Sequence, residues 1–520
     1  MYNRYKLYYP IIPLAALLLY FVYRATTAPF SDFGGYYFGS LELLHGNFRQ
    51  AYDPYTLNAL IAQKGYTGVF VSYAPFPPFT SIVFAPFLIF PVATAKIIFN
   101  IFSVLLFVYT LIRAGKFFGL PPWITWLVPV IFFVPLRNNI FFGQSYLLLF
   151  ALLIEGFMAH KKGRLMLSSV LWAIAIVFKL FPLVILFYLL AKKQYKPVLY
   201  CMVACAVLGI ISVLINGFAS WQYYVFTIFP RASNGELNDS YTYLFQSAFM
   251  LLKNLFVYDA VQNPNVWYNS ILVFITSMAF FKALLLACCV GASLQKKTSD
   301  FMAFACWITA SMLLSPNGSS YSLILLLLPL LALYNEAESI KYKIGAIVLV
   351  WLICSIPIQS VVHLPLLLRF PRLYLLLLFF LVMIKLANTK LPFKLLVTFF
   401  LLLMLPEAGK LFSKNDNSSY LLSERLPLIY SYSVNNNRLV YYYWDDGGSH
   451  AATTSYAVQE YTTQDVYIEN NQVYYKGKQL TSSADLKKEV MLVNGKDLIY
   501  LSDKNRGVGF YALRRINILE

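Results

Sequence analysis

Pro78-Phe-Thr-Ser-Ile-Val-Phe-Ala-Pro-Phe-Leu-Ile-Phe-Pro-Val-Ala-Thr-Ala-Lys-Ile-Ile-Phe-Asn-Ile-Phe-Ser-Val-Leu-Leu-Phe-Val-Tyr-Thr-Leu-Ile112 carries one charged side chain, Lys96, and is interrupted by Pro86 and Pro91. A stretch this apolar exceeds the ~20 residues a helix needs to cross a bilayer. The two prolines make it one broken helix or two short ones. Similar runs recur at about 121–136, 140–159, 165–178, 182–191, 198–216, 270–294, 301–314, 323–334, 342–362, 373–386 and 391–406. Several are short for a simple span. Short, proline-broken segments are tolerated at membrane depth only where they line a buried or watery cavity, so a cavity is expected there.

Composition agrees. Of 520 residues 59% are hydrophobic and 12% charged, against about 25% charged in soluble domains. That leaves too little polar surface to coat a soluble fold. The net charge of +18 would suit nucleic acid if it were clustered in a binding motif. Instead, residues 407–520 hold 13 basic and 13 acidic residues, so the whole excess lies in 1–406. There it punctuates the apolar runs at Arg113 and Lys116, Lys161–Arg164, Lys192–Lys196, Lys296–Lys297 and Lys341–Lys343. Short basic loops between spans mark the cytoplasmic face. No nucleic-acid-binding motif is present, and no nucleic-acid partner is expected.

The first run, Pro10 to Tyr23, follows Arg4 and Lys6, which predicts a cytoplasmic N-terminus and an uncleaved first helix. A cleaved signal peptide ending near Thr26-Thr27-Ala28 is the rival reading. If 78–112 crosses once, alternation gives thirteen crossings, puts every basic cluster on the cytoplasmic side and leaves the C-terminus outside. The fold expected is a polytopic α-helical membrane protein of about 11–13 transmembrane helices, multi-pass in the plasma or inner membrane. Residues 1–406 form its membrane domain, with long outer loops at 28–77 and 217–269. Six of the ten acids of 1–406 lie in those loops: Asp32, Glu42, Asp53, Glu236, Asp239 and Asp259. Within the first loop, Tyr36–His45 and Thr56–Lys64 suit short helices.

Residues 407–520 are a different material. They hold 13 of the 40 tyrosines, with alternating runs at Asn437–Trp444 and Asp465–Glu469. Turn signals separate these at Asp446–Ser449, Asn470-Asn471, Lys476-Gly477 and Asn494-Gly495. A small β-rich extracytoplasmic domain is predicted, its tyrosines serving strand packing rather than sugar stacking. The six cysteines lie inside apolar runs, where they read as small buried hydrophobes. Even Cys201 and Cys205, four apart, have no His or further Cys to complete a metal site.

The segment Ser31-Asp-Phe-Gly-Gly-Tyr-Tyr-Phe-Gly-Ser-Leu-Glu-Leu-Leu-His-Gly46 puts Asp32 just beyond the first span, with Gly34 and Gly35 permitting close backbone approach. A carboxylate at the mouth of an apolar cavity is costly unless it works or is capped. As an N-cap of a helix starting near Phe33 it would contribute about 1 kcal/mol, and capping does not exclude catalysis. The landmarks that follow are Tyr73-Ala-Pro-Phe-Pro-Pro78, Phe142-Gly-Gln-Ser145, Phe178-Lys-Leu-Phe-Pro182, Asn238-Asp-Ser240 and Ser315-Pro-Asn-Gly318. In this order, over roughly residues 5–405, the chain resembles the GT-C superfamily of membrane glycosyltransferases. More narrowly it is similar to glycosyltransferase family 87, which includes lipid-linked-mannose-dependent mannosyltransferases.

The resemblance implies transfer of a sugar, mannose or similar, from a polyprenyl-phosphate donor to a lipid, glycan or protein hydroxyl at the outer face. In such enzymes an Asp of the first outer loop is the general base, the position Asp32 matches. That role is consistent with the chemistry, since a hydroxyl attacking an anomeric carbon must lose its proton and an aligned carboxylate can accept it. In-line displacement inverts the anomeric centre, and a phosphate leaving group needs no second acid, unlike a glycosidase.

The leaving phosphate requires positive charge where negative charge builds. Lys179, Arg231, Arg137, Arg369 and Arg372 are the candidates. Lys179 interrupts an apolar run and reads equally as a snorkelling lysine, whereas Arg231 also reads as a solvated loop charge. Candidate substrate-binding residues are Tyr36, Gln144, Lys179, Arg231, Asn238 and His363. Gln144 matches a Gly-Gln pair common in the family, and also reads as a helix-packing amide. Ser319, Ser320 and Tyr321 stand where family members often carry His; His363 is a substitute, or an interfacial structural histidine. The histidines are scattered and no Asp-x-Asp pair occurs, so no metal or other cofactor is expected. The alternatives from other classes are a transporter or flippase of lipid-linked saccharides, which would show matching halves, and a polysaccharide polymerase, whose large loop would carry several arginines.

Overall fold

The computed structural model describes residues 12–67, 69–121, 123–237, 240–411, 416–422, 428–445, 448–461 and 465–519. Proline and glycine decide how the apolar stretch opening at Pro78 folds. It begins with a short helix, Thr80–Phe84, passes through a 3-10 turn at Ala85–Phe87, and restarts after Pro91 as the 26-residue helix Val92–Phe117. The second piece alone is long enough to cross. The run expected at 121–136 breaks at Phe132 into Ile124–Ile131 and Phe133–Phe142. The latter stops at Gly143 (φ +66°), and the chain bends by 116° into Tyr146–Lys161.

Among the described residues three helices are individually long and apolar enough to cross a membrane: Val92–Phe117, Tyr195–Asn216 and Ile271–Leu294. The bent pair Phe133–Phe142 and Tyr146–Lys161 makes a fourth if counted as one span. Around them pack shorter apolar helices, among them Ile12–Ala25, Leu165–Lys179 and Asp300–Leu314. Serines cap several: Ser270 accepts from Val273 N, and Ser299 from Met302 N, each cap contributing about 1 kcal/mol. Helix Tyr195–Asn216 turns a nearly continuous apolar face outward, with Leu199, Met202, Val203, Val207, Ile210 and Leu214 all exposed. A face of this size is stable only against lipid or a partner. Together with the core running through Phe150, Trp172, Phe304 and Trp307, it makes the chain a membrane protein.

The basic clusters gather at one end of the bundle. Asp300 pairs with Lys161 (2.7 Å) and Lys192 (3.1 Å), and Arg113 with Glu155 (3.1 Å). Tyr146–Lys161 leads away from this end over 16 residues, about 24 Å at 1.5 Å per residue. Leu165–Lys179 and Tyr195–Asn216 make the same traverse. At the far end sit the short helices of 28–77, namely Ser31–Leu44, Phe48–Tyr52 and Pro54–Gln63, and those of 217–269.

Beyond helix Phe393–Leu411 the chain is β-rich. A five-stranded antiparallel sheet runs in the order Ser419–Tyr420, Ala512–Asn517, Asp497–Ser502, Lys487–Val493, Glu460–Tyr461. Two three-stranded antiparallel sheets accompany it, Ile429–Asn435 with Arg438–Asp445 and Gly448–Ala457, and Val466–Glu469 with Gln472–Tyr475 and Lys478–Gln479. Two-residue hairpin turns fall at Asn436-Asn437, Asn470-Asn471 and Lys476-Gly477, all at positive φ, as primed turns require; Asn494-Gly495, also at positive φ, opens a three-residue loop between Val493 and Asp497.

Candidate active site

Asp32 sits in the first turn of helix Ser31–Leu44, whose N-cap is Phe30. The carboxylate is therefore not the helix cap; it accepts a 2.6 Å hydrogen bond from Gln144 Nε2. Its place in the first turn still favours its charge through the helix dipole. Glycines set the helix close to segment 71–73: a Cβ at Gly35 would lie 2.3 Å from Ser72 O, and one at Gly39 would meet the Tyr73 ring at 2.2 Å. Lys96, the lone charge of the opening stretch, donates to Pro29 O (2.8 Å) and so braces the turn into the Asp32 helix.

Gln144 owes its position to Gly143, where a Cβ would lie 2.6 Å from Phe33 Cβ. The sharp left-handed turn thus packs directly on the Asp32 helix. The amide is bound at both ends. Its Nε2 serves Asp32, while its Oε1 accepts from Tyr36 Oη (2.9 Å) and lies 3.5 Å from Lys179 Nζ. Tyr36, which also shares a 3.0 Å hydrogen bond with Ser145, is sandwiched between Phe76 (4.3 Å) and Phe84 (4.5 Å). Burial pushes the Tyr36 phenol well above its ordinary value, so it serves as a donor at neutral pH.

Lys179 ends helix Leu165–Lys179 at Leu180, which is held at φ +48°. Such a conformation costs a non-glycine residue about 1–3 kcal/mol and turns the chain towards Pro182. The ammonium lies 3.9 Å from the centre of the Tyr146 ring, 5.1 Å from Phe76 and 5.7 Å from Tyr36. Carboxylate and ammonium therefore share one amide between them. Burial raises the Asp32 pKa above the usual aspartate value; the Gln144 hydrogen bond and the charges of Lys179 and Lys96 oppose this without cancelling it.

Asp32, Gln144 and Lys179 line one cavity of about 670 Å³, within the size range of small-molecule sites. Its walls are the sequence landmarks. Ala74–Pro77, Gln144, Lys179–Phe181 and Ser315–Asn317 all face it, together with Phe229, Ala232, Ser233 and Leu237 of the second long loop. Apolar surface dominates away from the Asp32 cluster, where Leu183, Val184, Phe187 and Leu314 contribute. A charged end and an apolar body suit an amphiphile with a polar head.

The other candidates lie elsewhere. Arg231 is buried outside the cavity lining; its guanidinium binds Glu236 (Nε–Oε2, 2.8 Å) and the fully buried Asp503. Burial opposes its charge, but the two carboxylates hold it protonated above its ordinary value. It is neither the solvated loop charge nor the cavity cation expected of it. His363 is exposed in the 358–369 turn region and does not line the cavity. Arg372 donates to Ile353 O (2.9 Å) and Ile356 O (3.1 Å), Arg369 to Leu364 O (2.7 Å), and Arg137 lies over Phe141. Asn238 falls outside the described residues. Sequence reading missed Tyr146, Tyr321 and Lys96. Tyr146 directly follows the Gly-Gln-Ser landmark, and Tyr321 stands in the stretch where the family's histidine was sought. Among the described residues no three His, Cys, Asp or Glu side chains gather as a metal site would need.

Residues 74–316 match the model of glycosyltransferase family 87. The match takes in Ala74–Pro77, Gln144, Lys179 and Ser315-Pro316, leaving Asp32 and the β-rich region outside it. The resemblance carried by the ordered landmarks is thus shown, and the chain is a glycosyltransferase, with a sugar donor and an acceptor as its substrates. No curated protein and no solved structure matches the chain.

Proposed function

We propose that the chain transfers a hexose, mannose or a close relative, from a polyprenyl-phosphate donor to an acceptor hydroxyl at the outer face of the membrane. The observation that carries this reading is the meeting of Asp32 and Lys179 on Gln144, at the polar end of an otherwise apolar cavity. The prenyl chain would lie along Leu183, Val184, Phe187 and Leu314, and the phosphate beside Lys179. Among the described cations considered, Lys179 alone faces the cavity.

Asp32 takes the proton of the acceptor hydroxyl as its oxygen forms the bond to the anomeric carbon. The bond from that carbon to the phosphate oxygen breaks in line on the opposite side, its electron pair leaving on the phosphate. Lys179 holds the charge that accumulates there. The products are an inverted glycoside, protonated Asp32 and polyprenyl phosphate. A buried carboxylate with a raised pKa is the stronger base for this step.

The basic end of the bundle would face the cytoplasm. The shorter apolar helices would cross together with the three long ones, completing a multi-pass domain over 1–406 with an extracytoplasmic region after 407. The transfer is proposed to need no metal. The test is purified protein in detergent given a labelled polyprenyl-phosphate mannose and short-chain alcohol or oligosaccharide acceptors. Transfer with inversion, unaffected by chelation, supports the reading. Binding without transfer to any acceptor, combined with movement of the lipid across proteoliposomes, overturns it in favour of a flippase.

A further inference from the structure

We propose that the C-terminal β-rich region is part of the substrate cavity's construction, and that Arg231 and Asp503 are positioning residues that seat it. The cavity's role as a donor site is taken from the proposed function; the seating rests on geometry alone. Phe229, Ala232, Ser233 and Leu237 line the cavity, yet Arg231 among them points away from it into the β-rich region. There its guanidinium meets the Asp503 carboxylate and the carbonyls of Asp503 (3.2 Å) and Arg506 (3.4 Å). Asp503 also accepts from Leu486 N (2.7 Å) and Gly509 N (2.8 Å), so one carboxylate ties the 503–509 turn to its sheet and to Arg231. Glu236 doubles the contact: its carboxylate takes Arg231 Nε, and its backbone oxygen takes Val508 N (3.2 Å).

The same turn reaches the first outer loop. Gly509, at φ +76°, sits where a Cβ would be 2.5 Å from Pro54 Cδ. Phe510 packs edge-on to Phe70, which itself lines the cavity (5.6 Å between centroids), and Tyr430 stacks on Tyr55 at 3.8 Å. Residues 503–510 thus lock together two loops, 28–77 and 217–269, that lie far apart in sequence and share a cavity. An exposed ion pair would hold little; a buried one leaves an uncompensated charge when either partner is removed, so Asp503 couples the tail to the wall strongly.

The test uses the full chain in nanodiscs with farnesyl phosphate as probe and hydrogen exchange as a second readout. Asp503→Asn is expected to weaken probe binding roughly tenfold or more. It should also speed amide exchange over 229–237 and 54–70, leaving 146–161 unchanged. Arg231→Lys, which keeps the charge but loses the guanidinium fork, gives an intermediate effect and covers the case in which Asp503→Asn fails to fold. Unchanged exchange over 229–237 in Asp503→Asn or Arg231→Lys overturns the seating. Altered exchange with unchanged probe affinity overturns the link to the cavity. If the unsubstituted protein itself does not bind the probe, the donor reading fails, and the exchange result alone then supports or overturns the seating.

Discussion

Replacing Asp32 by Asn tests the chemistry most directly, because the substitution keeps the shape of the side chain and removes its basicity. In the cavity Gln144 Nε2 lies 2.6 Å from Asp32 Oδ2, and an Asn carbonyl oxygen can accept the same bond. The buried surroundings that raise the carboxyl pKa are less hostile to a neutral amide, so folding should not suffer. The apolar lining at Phe187 and Leu314, and the Lys179 ammonium, are untouched. A positioned general base is worth about 10²–10⁴ in rate, or about 2.7–5.5 kcal/mol of barrier. The expected outcome is a fall of that size in kcat, with the donor KM and the thermal unfolding midpoint close to those of the parent. The assay follows label from a polyprenyl-phosphate hexose into product, with unfolding monitored on the same preparation. A kcat within about tenfold of the parent would refute Asp32 as the base; a large drop in unfolding midpoint would refute the claim that its role is chemical.

Three further outcomes follow from the same geometry. Asp32 must be ionised to accept a proton, and burial raises its pKa, so activity is lost as pH falls through a value above the ~3.9 of a free aspartate. Gln144→Leu, which removes the hydrogen bond that opposes the rise, should move the acid limb of kcat/KM to still higher pH; a limb at or below the free value would contradict this. Lys179→Met removes the cation facing the cavity and should cost about 10²–10³ in kcat/KM, as loss of a transition-state donor does; an effect under tenfold would point to a snorkelling role. Gly143→Ala combines a left-handed backbone cost of about 1–2 kcal/mol with a contact 2.6 Å from Phe33 Cβ worth about 1–3 kcal/mol of overpacking. Chemical denaturation should therefore show a loss of about 2–5 kcal/mol, and an unchanged midpoint would mean the turn is not the tight seat described.

What the sequence made legible was local or periodic. Pro86 and Pro91 announce a break in the 78–112 stretch, and the structure resolves it into a short entry helix and one long helix from Val92. The paired turn residues at Asn470-Asn471 and Asn494-Gly495 announce hairpins, because positive φ is cheap for them, and hairpins are what form. Asp32 and Lys179 could be singled out because charged groups in or beside apolar sequence are expensive, and Gln144 because it matches the Gly-Gln pair of the family the chain resembles. Their meeting could not be read, since it depends on a 116° bend at Gly143 and on a strained Leu180, neither of which has a periodic signature. Tyr146, among 40 tyrosines, carries no mark in sequence that separates a ring beside an ammonium from one in a core.

Arg231 shows why scarcity of charge is a weaker guide than it looks. In a chain with 12% charged residues each charge beyond the basic end invites a functional reading, Asp32 and Arg231 among them. What divides them is the partner. Asp32 faces an amide that leaves one side of the carboxylate towards the cavity, whereas Arg231 spends its guanidinium on two carboxylates and two carbonyls. One of those carboxylates lies 272 residues away, in a region whose balanced charge gave no hint that it reaches the membrane domain. A buried charge satisfied on every side holds structure in place, and one left open to a cavity is available for chemistry. By that criterion the outer loops divide the labour: the first brings the carboxylate proposed as the base, and the second, clasped to the β-rich region, brings a wall of the cavity.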